Sequence, residues 1–241
     1  MRRACRSAWI ILLGWGASLV VLLALTLVAV VTLGQGVERA GRIAANLWGR
    51  TLLAACGIRL VVEGGEHLAG RRARIVVFNH ASMLDAFLMT AVFPPGGVAV
   101  VKREILFYPF VGQAVWLLGY VALNRGKPRR AYATLIRAAA RVARRRQSVF
   151  ISPEGTRSAD GSVGRFKLGA FRLAMAVRAP IVPVAVLGAF ELLGKGGLSP
   201  RPGVVRLRIL PPIAADDFVE ENLAEKAAFV RSLIERELTR G

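Results

Sequence analysis

From Ser7 to Val37 the chain carries no charged residue, and Ala8 to Leu33 is almost wholly apolar. Few environments accept such a stretch. At about 1.5 Å of rise per residue it forms a helix of roughly 39 Å, longer than the ~30 Å hydrocarbon core of a bilayer. The pattern predicts a retained membrane helix, tilted or bent, with Gly14-Trp15-Gly16 as the natural bend. A secretory leader is the competing reading, because Arg2, Arg3 and Arg6 precede the run. A leader, however, has an apolar segment of only about 7 to 15 residues and a small-residue cleavage site, and none follows cleanly here. Arg39, Arg42 and Arg50 on the far side balance the first three arginines. That balance suits a helical hairpin or re-entrant pair with both flanks on the cytoplasmic side. A second helix is readable from Arg39 to Cys56. Its Arg39, Arg42, Asn46 and Arg50 recur on one side, with Ile43, Leu47, Trp48 and Leu52 mostly opposite. This fits either the lipid interface or packing against a core.

Charge narrows the partners. Lys and Arg number 34 against 15 Asp and Glu, a formal net charge of +19 in a chain that is 54% hydrophobic. Disordered basic tails lack that much apolar content, so the combination points to an anionic membrane surface, and nucleic acid is not the expected partner. The expected helix from Pro128 to Arg146 sets Arg130, Arg137, Arg141 and Arg144 on one side, and Arg145 and Arg146 extend the set. Such a stripe is usually just solvated, or else attracted to anionic headgroups, and no aromatic RNA-binding pattern accompanies it. Two Cys and two His give neither a disulfide framework nor a zinc-finger spacing, so no metal is expected.

We read residues 1–56 as membrane anchor and interfacial helix, and residues 57–241 as one domain of α/β class, a layered sheet with flanking helices. Strand-like runs occur at Arg59–Glu63, Ile75–Phe78, Val98–Val101, Tyr120–Leu123, Val149–Ser152, Ile181–Leu187 and Val204–Leu210. Helical patterns lie at Ser82–Val92, Glu104–Leu118, Pro128–Arg146, Phe166–Val177 and Glu221–Leu238. The order of strands in the sheet does not follow from this pattern.

Chemistry begins at Asn79-His80-Ala81-Ser82-Met83-Leu84-Asp85, where an apolar run gives way to polar residues before a helix. Loops at strand carboxyl ends face the ligand crevice of an α/β sheet. One helical turn separates His80 from Asp85, so the carboxylate could fix the imidazole tautomer and leave the other nitrogen free as a general base. The same Ser82-x-x-Asp85 also reads as a capping box, the better reading on spacing alone. A second constellation, Ser152-Pro153-Glu154-Gly155-Thr156-Arg157-Ser158, follows another strand-like run. Gly155 permits a tight turn, Thr156 adds a hydroxyl and Arg157 offers a fork for phosphate oxygens. Glu154 could meet a ligand hydroxyl or hold a neighbouring arginine. Taken alone, the segment could be simply a turn. Lys102 and Arg125 each follow a β run and could supply further cations, although flanking surface charges are commoner.

These segments, in this order, resemble the glycerolipid acyltransferase family that includes lysophosphatidic acid acyltransferases. Asn79-His80-x-Ser82-x-x-Asp85 is similar to its first motif, the Lys102 to Arg125 stretch to its second, Glu154-Gly155-Thr156-Arg157 to its third and Ile181-Val182-Pro183-Val184 to its fourth. Phe166-Lys167-x-Gly169 also matches, and the likeness covers about Ile58 to Leu187. The resemblance implies acyl transfer, without an acyl-enzyme, from a thioester donor to a lysophospholipid hydroxyl. The donor would be acyl-CoA or acylated carrier protein, a substrate rather than a cofactor. The preferred acceptor would be 1-acyl-glycerol-3-phosphate, acylated at sn-2 to phosphatidic acid. His80 would be the base and Asp85 its support. Lys102, Arg125, Arg157 and Lys167 would hold the acceptor's phosphate, with Glu154, Gly155 and Thr156 shaping its site and Pro183 structural. Asn124 stands where the family often has Asp, which removes an expected acidic partner for Arg125. The alternatives are another acceptor, such as a lyso-ornithine lipid, or a non-enzymatic membrane-tethered binder of anionic ligands. No Gly-x-Ser-x-Gly elbow supports a hydrolase. The expected location is a bacterial inner membrane, with the catalytic domain cytoplasmic.

Overall fold

The computed structural model describes the backbone of residues 2–197 and 199–240, and side chains within those ranges from residue 7 onward. The side chains of Arg2, Arg3 and Arg6, used above in the orientation count, lie outside the described residues.

Helices α1 (Arg2–Val31) and α2 (Val37–Ala55) form an antiparallel hairpin. Small residues allow the close approach. A side chain at Gly14 would meet Leu52, one at Gly36 would meet Val28, and Trp48 Nε1 donates to Ser18 Oγ at 3.0 Å. Among the described residues one helical stretch, Ser7–Val31, is long and apolar enough to cross a membrane. Its outer side chains are open, with Leu12, Val20 and Leu27 each about two-thirds exposed.

The inner side of α2, with Gly41, Ala45, Gly49, Leu52 and Leu53 buried, packs on α3 (Leu84–Ala91), where Gly49 lies directly on the backbone of Phe87 and Ala91. Here the sequence pattern misleads. Asn46 sits on the packed side, where its Nδ2 donates to the Thr90 carbonyl at 2.6 Å, while Ile43 and Leu47 are 46% and 60% exposed. The last carbonyls of α3 lack helical partners, and a buried amide satisfying them outweighs the polarity of neighbouring arginines.

Seven strands form one sheet: β1 (Ile58–Glu63), β2 (Arg74–Phe78), β3 (Gly97–Lys102), β4 (Val121–Leu123), β5 (Ser148–Ile151), β6 (Ile181–Leu187) and β7 (Gly203–Ile209). Their order is β1-β7-β6-β2-β5-β3-β4. The five strands from β6 to β4 run parallel, β7 is antiparallel to β6, and β1 is parallel to β7. Alternate residues of the strands feed two cores. Ile75, Val77, Val149 and Ile181 pack against α5 (Pro128–Arg144), α6 (Gly169–Val177) and α8 (Leu223–Thr239). Val76, Phe78, Phe150 and Val182 pack against α2 and α3 on the opposite face. The short α7 (Ala189–Leu192) joins that second core.

Two sequence expectations need correction. The single helix expected over Glu104–Leu118 is a 3₁₀ turn, Arg103–Phe107, followed by α4 (Val111–Leu117). The break falls at Pro109, whose ring cannot continue a helix, and at Phe110, held at φ 62°. Arg141, placed with the solvated cations of α5, is half-buried beside Gly119, and burial lowers its guanidinium pKa.

Candidate active site

Because β2, β5, β3 and β4 are consecutive and parallel, their carboxyl ends lie side by side along one rim. The loop after β2 carries His80, the loop after β5 carries Glu154 to Arg157, and β3 and β4 lead to Lys102 and Arg125. Residues 80 and 157 are far apart in sequence yet belong to adjacent loops. The His80 carbonyl accepts from Ser158 N at 2.7 Å.

His80 Nδ1 lies 2.7 Å from Asp85 Oδ2, and the side chains are 19% and 1% exposed. The same oxygen accepts from the backbone N–H groups of Ala81 and Ser82, both at 3.0 Å. Ser82 Oγ accepts from Leu84 N at 3.1 Å and donates to the Leu193 carbonyl at 2.6 Å. The helix cap and the imidazole partner read from the sequence are therefore one arrangement. Capping fixes the carboxylate, and the fixed carboxylate orients the ring with Nε2 left free of it. Asn79 anchors the loop from behind. Its side-chain amide extends the β2–β6 ladder, with Nδ2 donating to Val186 O at 3.1 Å and Val186 N donating to Oδ1 at 2.8 Å.

Both carboxylate oxygens of Glu154 are engaged by backbone N–H groups. Oε1 accepts from His80 N at 2.7 Å and Oε2 from Gly164 N at 2.9 Å, with the residue only 6% exposed. Burial raises its carboxyl pKa above the ordinary 4.5, while the bonds from His80 and Gly164 pull it back. The carboxylate thus fastens the His80-bearing loop to the loop after β5.

Cations gather around Gly155. This residue adopts φ +73°, which suits glycine, and its carbonyl accepts from Arg125 Nη1 at 2.9 Å. Lys167 Nζ lies 2.6 Å from the position a side chain there would occupy. Arg157 is half-buried and Thr156 exposed at the tip of the same turn. Arg125 is desolvated, which lowers its pKa, and the Glu104 carboxylate opposes that shift. Glu104 therefore supplies the acidic field that Asn124 does not. Asn124 instead accepts from Gly126 N at 3.1 Å and bends the chain. Lys102, exposed on the rim, pairs with the same Glu104 at 3.3 Å.

Asn79, Glu104 and Gly164 carry no role that the sequence pattern assigned, and the structure gives each one. Only Asn79 had a local signal, its place directly before His80. Among the described residues no group of three or more His, Cys, Asp or Glu could hold a metal.

The family model described as Acyltransferase matches residues 59–187, more than half of the chain. The chain belongs to the acyltransferase family. Every rim residue named above falls within that span of the acyltransferase. It is 33% identical over 195 residues to a 1-acyl-sn-glycerol-3-phosphate acyltransferase of Cocos nucifera, covering 81% of this chain and 63% of that protein. A protein of the same name from Limnanthes alba is 31% identical over 200 residues, covering 83% and 70%. The crystal structure of the 1-acyl-sn-glycerophosphate (LPA) acyltransferase of Thermotoga maritima superposes with a TM-score of 0.74 at 26% identity, covering 92% of this acyltransferase and 95% of that chain.

Proposed function

We propose that this acyltransferase transfers a fatty acyl group from a thioester donor to the free sn-2 hydroxyl of 1-acyl-glycerol-3-phosphate, producing phosphatidic acid for phospholipid synthesis. The observation that carries this reading is the His80–Asp85 pair, 2.7 Å apart at the rim, stitched to the loop of Arg157 through Ser158. His80 Nε2 takes the proton of the acceptor hydroxyl, and the oxygen attacks the thioester carbonyl. The C–S bond then breaks, and the departing thiolate receives the proton from the imidazolium. Asp85 holds the tautomer and faces the positive charge that the ring acquires, and a positioned base of this kind contributes about 10² to 10⁴ in rate. Arg125, Arg157 and Lys167, gathered around Gly155, take the acceptor's phosphate together with Lys102. Glu154 and Gly155 shape this site by fixing its backbone, and Thr156 offers a hydroxyl at its tip.

The names of the matching proteins support this acceptor, and phosphate-seeking guanidinium and ammonium groups fit it better than a phosphate-free lyso-lipid. Acyl-CoA and acylated carrier protein both fit as donors, because both are anionic and the chain is strongly cationic. The α1–α2 hairpin attaches the enzyme to a bacterial inner membrane, with the rim on the cytoplasmic side. Purified full-length chain in detergent, offered a panel of lyso-lipids with either donor, tests the assignment. Acylation of 1-acyl-glycerol-3-phosphate, abolished by His80→Ala with membrane attachment intact, is the expected result. Full turnover by that variant overturns the mechanism, and turnover of phosphate-free acceptors alone overturns the acceptor assignment.

A further inference from the structure

Between the two rim positions Lys102 and Arg125 the chain makes an excursion, the 3₁₀ turn Arg103–Phe107 and α4. Its inward residues Gly112, Ala114 and Val115 are buried. Its outward residues Phe107, Tyr108 and Trp116 are 74%, 52% and 75% exposed. Three open aromatic side chains on one short, ordered excursion require a partner in a way that scattered surface apolar residues do not.

This aromatic segment continues the apolar exterior of the hairpin. α4 packs on α1, and the ring of Phe110 meets Trp15 of α1 edge-on at 6.3 Å between centroids. Gly112 lies directly on the backbone of Leu106, so the turn and helix are packed closely together. Exposed Lys102 and Arg103 stand at the head of the segment. Trp and Tyr, with an apolar body and a polar tip, favour the headgroup region, and nearby cations favour anionic lipid. The basic helix α5 lies across the sheet from α2 and α3.

We propose that residues 103–118 form a second membrane-insertion element, immersing Phe107, Tyr108 and Trp116 in the bilayer interface beside α1. The reaction rim then rests on the lipid, and the acyl acceptor reaches it laterally without leaving the membrane. Insertion itself is independent of the reaction assigned above; only the lateral entry of the acceptor rests on that reading.

The test uses full-length protein with Cys5→Ser and Cys56→Ala, labelled with bimane at Phe107→Cys or Trp116→Cys. The labelled protein is placed in phosphatidylcholine–phosphatidylglycerol vesicles with and without brominated acyl chains. Labels at Leu19→Cys on α1 and Tyr132→Cys on α5 serve as positive and negative controls. Quenching at 107 and 116 comparable to that at 19, and absent at 132, is expected. Unquenched fluorescence at 107 or 116 while position 19 is quenched overturns the proposal. Shielding at these sites that grows with protein concentration and not with lipid assigns the patch to a second copy and overturns it equally. In a companion measurement, Phe107→Ser with Trp116→Ser raises the apparent KM for vesicle-borne acceptor at least tenfold, with detergent-dispersed turnover within twofold of the parent. An unchanged vesicle KM refutes the lateral-entry step even if quenching is seen. Quenching requires no turnover, so failure of the acyltransfer reading leaves a distinct signature.

Discussion

Asp85→Asn isolates what the carboxylate does for His80. In the native protein one oxygen, Oδ2, accepts from His80 Nδ1 at 2.7 Å and from Ala81 N and Ser82 N at 3.0 Å, while Oδ1 is buried with no hydrogen-bond partner. The amide can keep its oxygen in the Oδ2 position, so the cap geometry survives. Hydrogen bonds to a charged acceptor contribute about 1.5–3 kcal/mol each and neutral ones about half that, so three weakened bonds cost about 3 kcal/mol. The new NH₂ then occupies the partnerless position, at a further cost of about 1–3 kcal/mol. Relief from burying a carboxylate offsets part of this sum. A net destabilisation of about 2–4 kcal/mol is expected, measured by denaturant unfolding in detergent. Activity should suffer more than folding, because a neutral amide cannot face the imidazolium formed when the ring takes a proton. A kcat loss of about 10² to 10⁴ is expected at a temperature where the variant remains folded. A folded variant with kcat within about threefold of the parent would refute the reasoning and leave Asp85 as a helix cap only.

Three other perturbations probe the surroundings. Glu154→Gln places a donor against one of the N–H groups of His80 and Gly164, so kcat should fall about tenfold or more with little change in acceptor KM, as initial-rate kinetics will show. Because burial raises the folded-state pKa of Glu154 above 4.5, the native protein retains a proton there that the unfolded chain releases. Its stability contribution therefore declines as pH rises from 4.5 through the folded value. The Tm of Glu154→Gln relative to the parent should accordingly improve between pH 4.5 and 7.5, and a falling difference would contradict this. Gly155→Ala must adopt φ +73° and displace Lys167; about 1–2 kcal/mol of strain and a severalfold higher acceptor KM are expected from unfolding and kinetic assays. Asn46→Ala leaves the Thr90 carbonyl only the long bond from Phe93 N, at 3.4 Å, and should lower stability by about 1–3 kcal/mol in denaturant titrations without altering KM.

Much was legible from local pattern. The apolar run of α1, the seven strand-like segments and the cap at Ser82-x-x-Asp85 follow from periodicity and backbone preferences, which act between residues close in sequence. Membership of the acyltransferase family was legible from motif residues in order, and the family match over residues 59–187 agrees with it. Tertiary structure decided the rest. Strand order brings β2 beside β5, so that Ser158 N and the His80 carbonyl meet across 78 positions of sequence. Periodicity carries no information about which buried edges pair, and so could not show this. Sequence leaves Glu154 between a ligand hydroxyl, a neighbouring arginine and a plain turn, and only folding brings the backbone N–H groups of His80 and Gly164 to its oxygens. Asn46 turns inward because folding brings the Thr90 and Phe93 carbonyls beside it. Glu104 becomes Arg125's acidic neighbour only through the path of the chain between β3 and β4. A residue's chemical type is written in the chain, but the polar groups left unsatisfied around it exist only after folding, and they determine which role that chemistry takes.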